Sequence, residues 1–253
     1  MINTEKINEK IYIIWLSRKP VNAISMSFIN QLDEVIDGIN ENESIRCLII
    51  STKLEHFCAG ADLKERKKIN RKQTLKFLTQ INKTFNKIED LKIPVISAIS
   101  GAALGGGAEL SLCTDFRISS QSLKIGFPET SLGIIPGAGG VFRLPLITGI
   151  TTAKRLIYSS EILNAQKAYN IGLIDYISND IISDSINLAE KFIKNSPIGI
   201  SSAKSAINKI YYKNRQFYLD VQKYEYLKTL KTKDRIHALE AFITNKEPVW
   251  KNE

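Results

Sequence analysis

Apolar residues fall in short unbroken blocks over the first half of the chain and at helical spacing over the second. Residues 11–16 (IYIIWL) and 47–51 (CLIIS) are β-branched runs without a polar gap, the pattern of strands buried on both faces. Between them Phe28, Ile29, Leu32, Val35, Ile36 and Ile39 recur at three- and four-residue intervals, with Asp33, Glu34 and Asp37 in the gaps. That spacing predicts an amphipathic helix with an acidic outer face, capped by Ser25 or Ser27. Leu78, Ile81, Phe85 and Ile88 predict another helix, closed before Pro94, and residues 95–99 another buried strand. Shorter strands are expected at 116–119, 124–127 and 174–177. From residue 151 onward the pattern is mostly helical, over 151–158, 164–169, 182–193, 203–210, 218–230 and 236–242. There is no internal repeat or linker. Mixed strands and helices first, and helices last, predict one α/β domain with a helical tail.

Two glycine-rich stretches interrupt this pattern, SGAALGGGAEL at 100–110 and PETSLGIIPGAGGVFRL at 128–144. Glycines cluster where backbone approaches something closely or takes φ > 0. Glu109 and Glu129 stand beside these runs among apolar neighbours, which suggests acid/base chemistry next to a backbone hydrogen-bond site. The strand at 95–99 enters the first run and a helix is expected to follow at 108–113, an arrangement that aims amides at an anion. Neither run is G-x-G-x-x-G or carries G-K-[ST], which disfavours dinucleotide and nucleoside-triphosphate sites. The loop at 56–62, HFCAGAD, surrounds Gly60 with small residues, so its amides can also reach a ligand.

Composition narrows the chemistry. At 253 residues the chain is long enough for one large core, and its net charge of +9 allows nucleic acid, a phosphate-bearing ligand or simply a Lys-rich surface. The densest basic run, KERKKINRK at 64–72, reads first as a solvated helix face and second as a phosphate patch. Cys47, Cys58 and Cys113 are far apart in apolar surroundings, which fits buried thiols in a reducing compartment. With two histidines and no C-x-x-C pair, a zinc site or a histidine triad is poorly supplied. His56, Cys58 and Cys113 are therefore read as structural. MINTEKINEK resembles no targeting peptide and no apolar run has membrane-spanning length, so a cytoplasmic location is expected.

FCAGAD at 57–62, SGAALGGGAEL, PETSLGIIPGAGGVFRL and KPVNA at 19–23 are similar, in order and spacing, to the enoyl-CoA hydratase/isomerase (crotonase) superfamily. FCAGADLKER, GIIPGAGG, AKSAINKI and TKDRIHALEAF most resemble its methylglutaconyl-CoA hydratase branch. The resemblance implies a crotonase-like spiral of ββα units over residues 1–195. It also implies a C-terminal helical region over 196–253 that packs in a homotrimer or dimer of trimers.

The implied substrate is an acyl-CoA thioester, hydrated at its α,β double bond. No cofactor is implied, since coenzyme A is part of the substrate. Two amides at positions matching Ala61 and Gly106 would hold the thioester oxygen as it becomes enolate-like. Glu109 matches the glutamate that holds and activates water, and Glu129 the one that transfers a proton at Cα. Ala59, Gly60 and Asp62 match the segment beside the pantetheine and adenine. Gly133 and Gly137 are expected to shape the wall near the acyl group, and Arg18, Lys19 and Lys64 are weighed as phosphate partners against plain solvation. Phe127 and Val141-Phe142 depart from many relatives and are expected near the acyl group, bearing on its length. A double-bond isomerase using Glu129 alone is the alternative enzyme, and a binding module for RNA or a protein partner, with catalysis secondary or lost, is the alternative of another class. An RNA-binding relative carries lysines on its early helix where this chain has Gln31, Asp33, Glu34 and Asp37, so RNA binding is not expected.

Overall fold

The computed structural model describes residues 1–250; residues 251–253, the end of the expected helical region 196–253, lie outside the described residues. The first half runs β1 (Ile2–Lys6), β2 (Ile11–Leu16), α1 (Met26–Glu41), β3 (Cys47–Thr52), α2 (Leu63–Lys68), α3 (Arg71–Asp90), β4 (Val95–Ile99), β5 (Ala102–Leu104) and α4 (Gly106–Leu112). It continues through β6 (Phe116–Ser120), β7 (Lys124–Gly126), a 3-10 turn (Pro128–Leu132), α5 (Gly140–Thr148), α6 (Ile150–Ser159), β8 (Ile162–Asn164), α7 (Ala165–Asn170) and β9 (Tyr176–Ser178). Four helices close the chain: α8 (Ile181–Ile193), α9 (Pro197–Tyr211), α10 (Arg215–Thr229) and α11 (Lys233–Ile243).

The main sheet has the order β1-β2-β3-β4-β6-β9, and all its pairs are parallel except β1 with β2. Ile13, Ile49 and Ile96 stand in register across β2, β3 and β4. Because side chains alternate along a strand, Ile14, Leu16, Leu48 and Ile50 pack on one face with Phe28 and Leu32 of α1 and Phe85 and Ile88 of α3. Ile11, Ile13, Ile49 and Ile96 pack on the other face with Ala189 of α8, where Phe116 also stacks on Phe192 at 5.0 Å. Both faces are covered, which is why these strands read as continuous apolar runs. A smaller sheet, β5-β7-β8, carries the chain toward the glycine runs.

Several expectations shift by local chemistry. Ser25 is the cap of α1, accepting from the Phe28 N–H at 3.1 Å. Asp33 is not on an outer face: it is buried between α1 and α3, accepting from Thr84 Oγ1 and Lys87 Nζ, each at 2.9 Å. The strand expected at 174–177 starts at Tyr176, because the Leu173 N–H is used to close a turn onto the Ala168 carbonyl at 2.9 Å. α4 begins at Gly106, two residues before the expected start.

The C-terminal helices are tied to the core by ions. Lys204 of α9 donates to Asp115 at 2.7 Å, and Arg215 of α10 lies 2.8 Å from Glu89. They leave Ile207, Ile210, Phe217, Tyr224 and Phe242 exposed. Among the described residues no helix is long and apolar enough to cross a membrane.

Candidate active site

Residues 58–61 run beside β5: the Cys58 N–H donates to the Ala102 carbonyl, and the Leu104 N–H to the Cys58 carbonyl, both at 3.0 Å. On the other side the Ile24 N–H donates to the Gly60 carbonyl at 2.8 Å and the Asp62 N–H to the Ile24 carbonyl at 3.0 Å. That leaves the Ala61 N–H without an acceptor among the described residues. The Gly106 N–H is likewise free, since the first amides of a helix have no intrahelical partner. A Cβ placed on Gly106 would stand 3.8 Å from the Ala61 nitrogen, so the two free amides are neighbours.

Glycine is required to bring them there. At Gly107 a Cβ would meet the Cys58 carbonyl oxygen at 2.1 Å, so only a bare backbone lets α4 seat against the 58–61 loop. Gly105 turns the chain into α4 at φ +51, and a Cβ there would stand 2.8 Å from Glu129 Oε1.

Glu109 projects from the first turn of α4 and is buried. Its Oε1 accepts from the Ala138 and Gly140 N–H groups, both at 2.8 Å. Burial pushes this carboxyl up to about 7, against the pull of those two amides and of the Arg143 and Arg66 charges. The loop that supplies the amides is braced from behind. The Gly137 carbonyl accepts from Gln222 Nε2 at 2.7 Å and Asn82 Nδ2 at 2.8 Å. Fully buried Arg143 donates to the Ala138 carbonyl at 3.1 Å and grips both oxygens of Glu89, at 2.9 and 3.1 Å.

Glu129 sits in the 3-10 turn behind Pro128 and is also buried. Its Oε2 is sealed from solvent and has no hydrogen-bond partner. Burial first, and the Glu109 charge second, raise it well above the usual carboxylate range. The two acids therefore differ. Glu109 has two backbone donors from the 138–140 loop and nearby arginines that favour its ionised form, whereas Glu129 has only the lesser pull of its own amide and feels a like charge, so a proton shared by the pair rests on Glu129.

Both carboxyls line one cavity of about 250 Å³, together with Ala59, Gly60, Ala61, Gly106 and Gly137. Leu78, Ile81, Leu239 and Phe242 make much of its apolar wall, and Arg66, Tyr226 and Arg235 complete it. Asp62 and Gly133 lie outside this lining. Asp62 caps α2 through the Lys64 and Glu65 N–H groups and pairs with Arg18 at 2.6 Å; Gly133 packs on the Arg235 backbone. The expectation for Phe127 and Val141-Phe142 is corrected. Phe127 is wholly in the core, Phe142 stacks on Tyr218 at 5.8 Å, and none of the three residues lines the cavity.

Cys58 is buried with its Sγ 3.1 Å from the Asn22 carbonyl, and burial pushes the thiol up to about 12. His56 Nδ1 lies 3.4 Å from the Ala102 nitrogen. Among the described residues no cluster of three or more His, Cys, Asp or Glu side chains is placed to hold a metal ion. Sequence reasoning missed Arg66, Tyr226 and Arg235. Arg66 belongs to the basic run read as a solvated face, and no local signal separates it from its neighbours.

The enoyl-CoA hydratase/isomerase family model matches residues 6–253. A Bacillus subtilis protein whose name places it among enoyl-CoA hydratases/isomerases is 40% identical over 248 residues, 96% of this chain and 95% of the relative. The mouse mitochondrial methylglutaconyl-CoA hydratase is 36% identical over 257 residues, 98% of this chain and 82% of the relative. The crystal structure of an enoyl-CoA hydratase from Bacillus anthracis, 38% identical, matches with a TM-score of 0.81 over 100% of this chain and 99% of that one.

Proposed function

We propose, from the premise that this chain belongs to the enoyl-CoA hydratase/isomerase family, that it adds water reversibly across the α,β double bond of a short-chain or branched enoyl-CoA. What carries this reading is the presence, in one cavity wall, of two unpaired neighbouring amides and two buried carboxyls of unlike environment. In the forward direction the ionised Glu109 takes a proton from water as the water oxygen bonds to Cβ. The π electrons of the double bond move through Cα to the thioester oxygen, where the Ala61 and Gly106 amides stabilise the enolate-like charge. Each such donor is worth about 2.7–4 kcal/mol of barrier. The enolate then collapses, and Cα takes the proton held by Glu129. The water proton left on Glu109 returns the pair to its starting charge.

The second carboxyl favours hydration over double-bond shift, since an isomerase needs one group to move a proton and no partner to activate water. Ala59 and Gly60 lie along the path of the thioester arm, and Gly137 backs the acyl group. The apolar residues exposed on α9, α10 and α11 support the homotrimer that family membership suggests.

The test is to mix the protein with crotonyl-CoA and with 3-methylglutaconyl-CoA and follow the conjugated thioester absorbance. It falls with wild type and is unchanged with Glu129→Gln. Wild type that consumes neither thioester refutes the reading.

A further inference from the structure

Glu109 Oε1 takes its hydrogen bonds from alternate amides, those of Ala138 and Gly140. The Ala138 N–H and the Gly137 carbonyl belong to one planar peptide unit. The far end of that unit, the Gly137 oxygen, accepts from Gln222 Nε2 of α10 at 2.7 Å and from Asn82 Nδ2 of α3 at 2.8 Å. The next unit is turned the other way. Its carbonyl, on Ala138, accepts from Arg143 Nη1 at 3.1 Å, and its N–H, on Gly139, donates to Gln222 Oε1 at 3.0 Å. The third unit presents the Gly140 N–H to Glu109, while its Gly139 carbonyl accepts from the Arg143 backbone N–H at 2.9 Å. Buried Gln222 therefore clamps the loop with both ends of its amide. Asn82 is held in its pose by a second bond, from Nδ2 to the Leu78 carbonyl at 2.7 Å.

Neither Gln222 nor Asn82 lines the cavity. A tie between the helices and the loop would serve packing at any peptide, yet both donors land on the unit whose N–H meets Glu109. A carbonyl that accepts two hydrogen bonds makes the N–H of its own peptide a stronger donor, because linked hydrogen bonds polarise one another in a low-dielectric interior. The Ala138 amide in turn works against burial, which pushes the Glu109 carboxyl up.

We propose that Gln222 and Asn82 are positioning residues for Glu109, acting through the Gly137–Ala138 peptide to aim and strengthen the amide that holds its carboxylate. This rests on the hydratase reading, in which Glu109 is the base that activates water. The sign follows from the geometry. Without the two side-chain donors the Ala138 amide is a weaker and looser partner for the ionised form, so Glu109 keeps its proton to higher pH.

The test uses Gln222→Met and Asn82→Leu, which nearly conserve volume and remove the donors. The charged and titratable groups that face Glu109 stay in place: Glu129 of the 3-10 turn, Arg66 of α2, Cys113 at the end of α4, Arg143 of α5, and Tyr226 and Arg235 in the C-terminal helices. NMR of protein carrying 13C-labelled glutamate carboxyls follows the Glu109 titration without substrate, the signal being the one lost in Glu109→Gln. Each variant should move its midpoint up by about half a unit to one unit, and the double variant further. The acidic limb of kcat/KM for crotonyl-CoA should move with it, kcat should fall about tenfold, and KM should stay within about twofold. A purely structural tie would move neither the NMR midpoint nor the limb. Should one variant fail to fold, the other decides. An unmoved Glu109 midpoint in a folded variant overturns the proposal, as does a raised KM with kcat retained. Wild type that hydrates neither crotonyl-CoA nor 3-methylglutaconyl-CoA would sink the hydratase reading, and the NMR midpoints would still decide whether the two residues act on Glu109.

Discussion

Replacing Glu109 by Gln should stabilise the fold and destroy the reaction, by amounts that can be worked out beforehand. Glutamine keeps an oxygen that can accept from the Ala138 and Gly140 amides, now at 2.8 Å from Glu109 Oε1, so the loop keeps its anchor. It removes a carboxyl whose ionisation burial opposes. In the folded chain that carboxyl holds its proton up to about 7, while unfolded it releases it near the ordinary 4.5. Between those values the folded state binds more protons, so wild-type stability falls as pH rises. A move from 4.5 to about 7 corresponds to about 3 kcal/mol, complete above the higher value. Urea unfolding of wild type and Glu109→Gln at pH 5 and pH 8 checks this. The variant should be near wild type at pH 5 and about 3 kcal/mol more stable at pH 8, with hydration reduced about 10²–10⁴-fold. A stability difference that does not change between the two pH values refutes the reasoning about the Glu109 environment.

Gly105→Ala forces a side chain into φ +51 and within 2.8 Å of Glu129 Oε1; it should cost about 1–3 kcal/mol in thermal unfolding and lower kcat about 100-fold. Gly38→Ala is the contrasting control: it lies on the exposed side of α1 with open space around it, and should add about 0.5–1 kcal/mol without touching turnover. Glu89→Ala leaves Arg143 buried and unpaired, and should cost about 3–5 kcal/mol in urea unfolding. The wild-type hydration rate should fall on the alkaline side as Glu129 loses its raised proton, which a pH profile of kcat checks.

The reacting end of the site was legible because its parts are local in sequence. Glycines that free an amide sit next to the amide they free, and Glu109 sits three residues after Gly106 on the same helix turn. The arginine-lined end of the cavity was not. Arg66 is one of several bases between residues 64 and 72, and only the Phe77 ring beneath it turns it inward. Tyr226 and Arg235 reach the cavity from helices whose spacing shows a face but not what it covers. The same gap explains Asp33, whose acidic face is judged by the lysines α3 brings, and not by its own helix. In the fold, the buried strands were plain from unbroken apolar runs. β1, an exposed edge, and β5 and β8, three residues each, bury too little to leave a pattern.

The two ends of the cavity are written in separate passages of the chain. In the proposed reaction everything that moves a proton or holds the oxyanion comes from residues 61 to 140, and part of the remaining cavity wall comes from residues 226 to 242. A gene copy of this protein can thus diverge in its last helices, trading Tyr226, Arg235, Leu239 or Phe242, and acquire a new diet while inheriting the old reaction intact. Specificity in such a lineage would wander fastest where the chain ends.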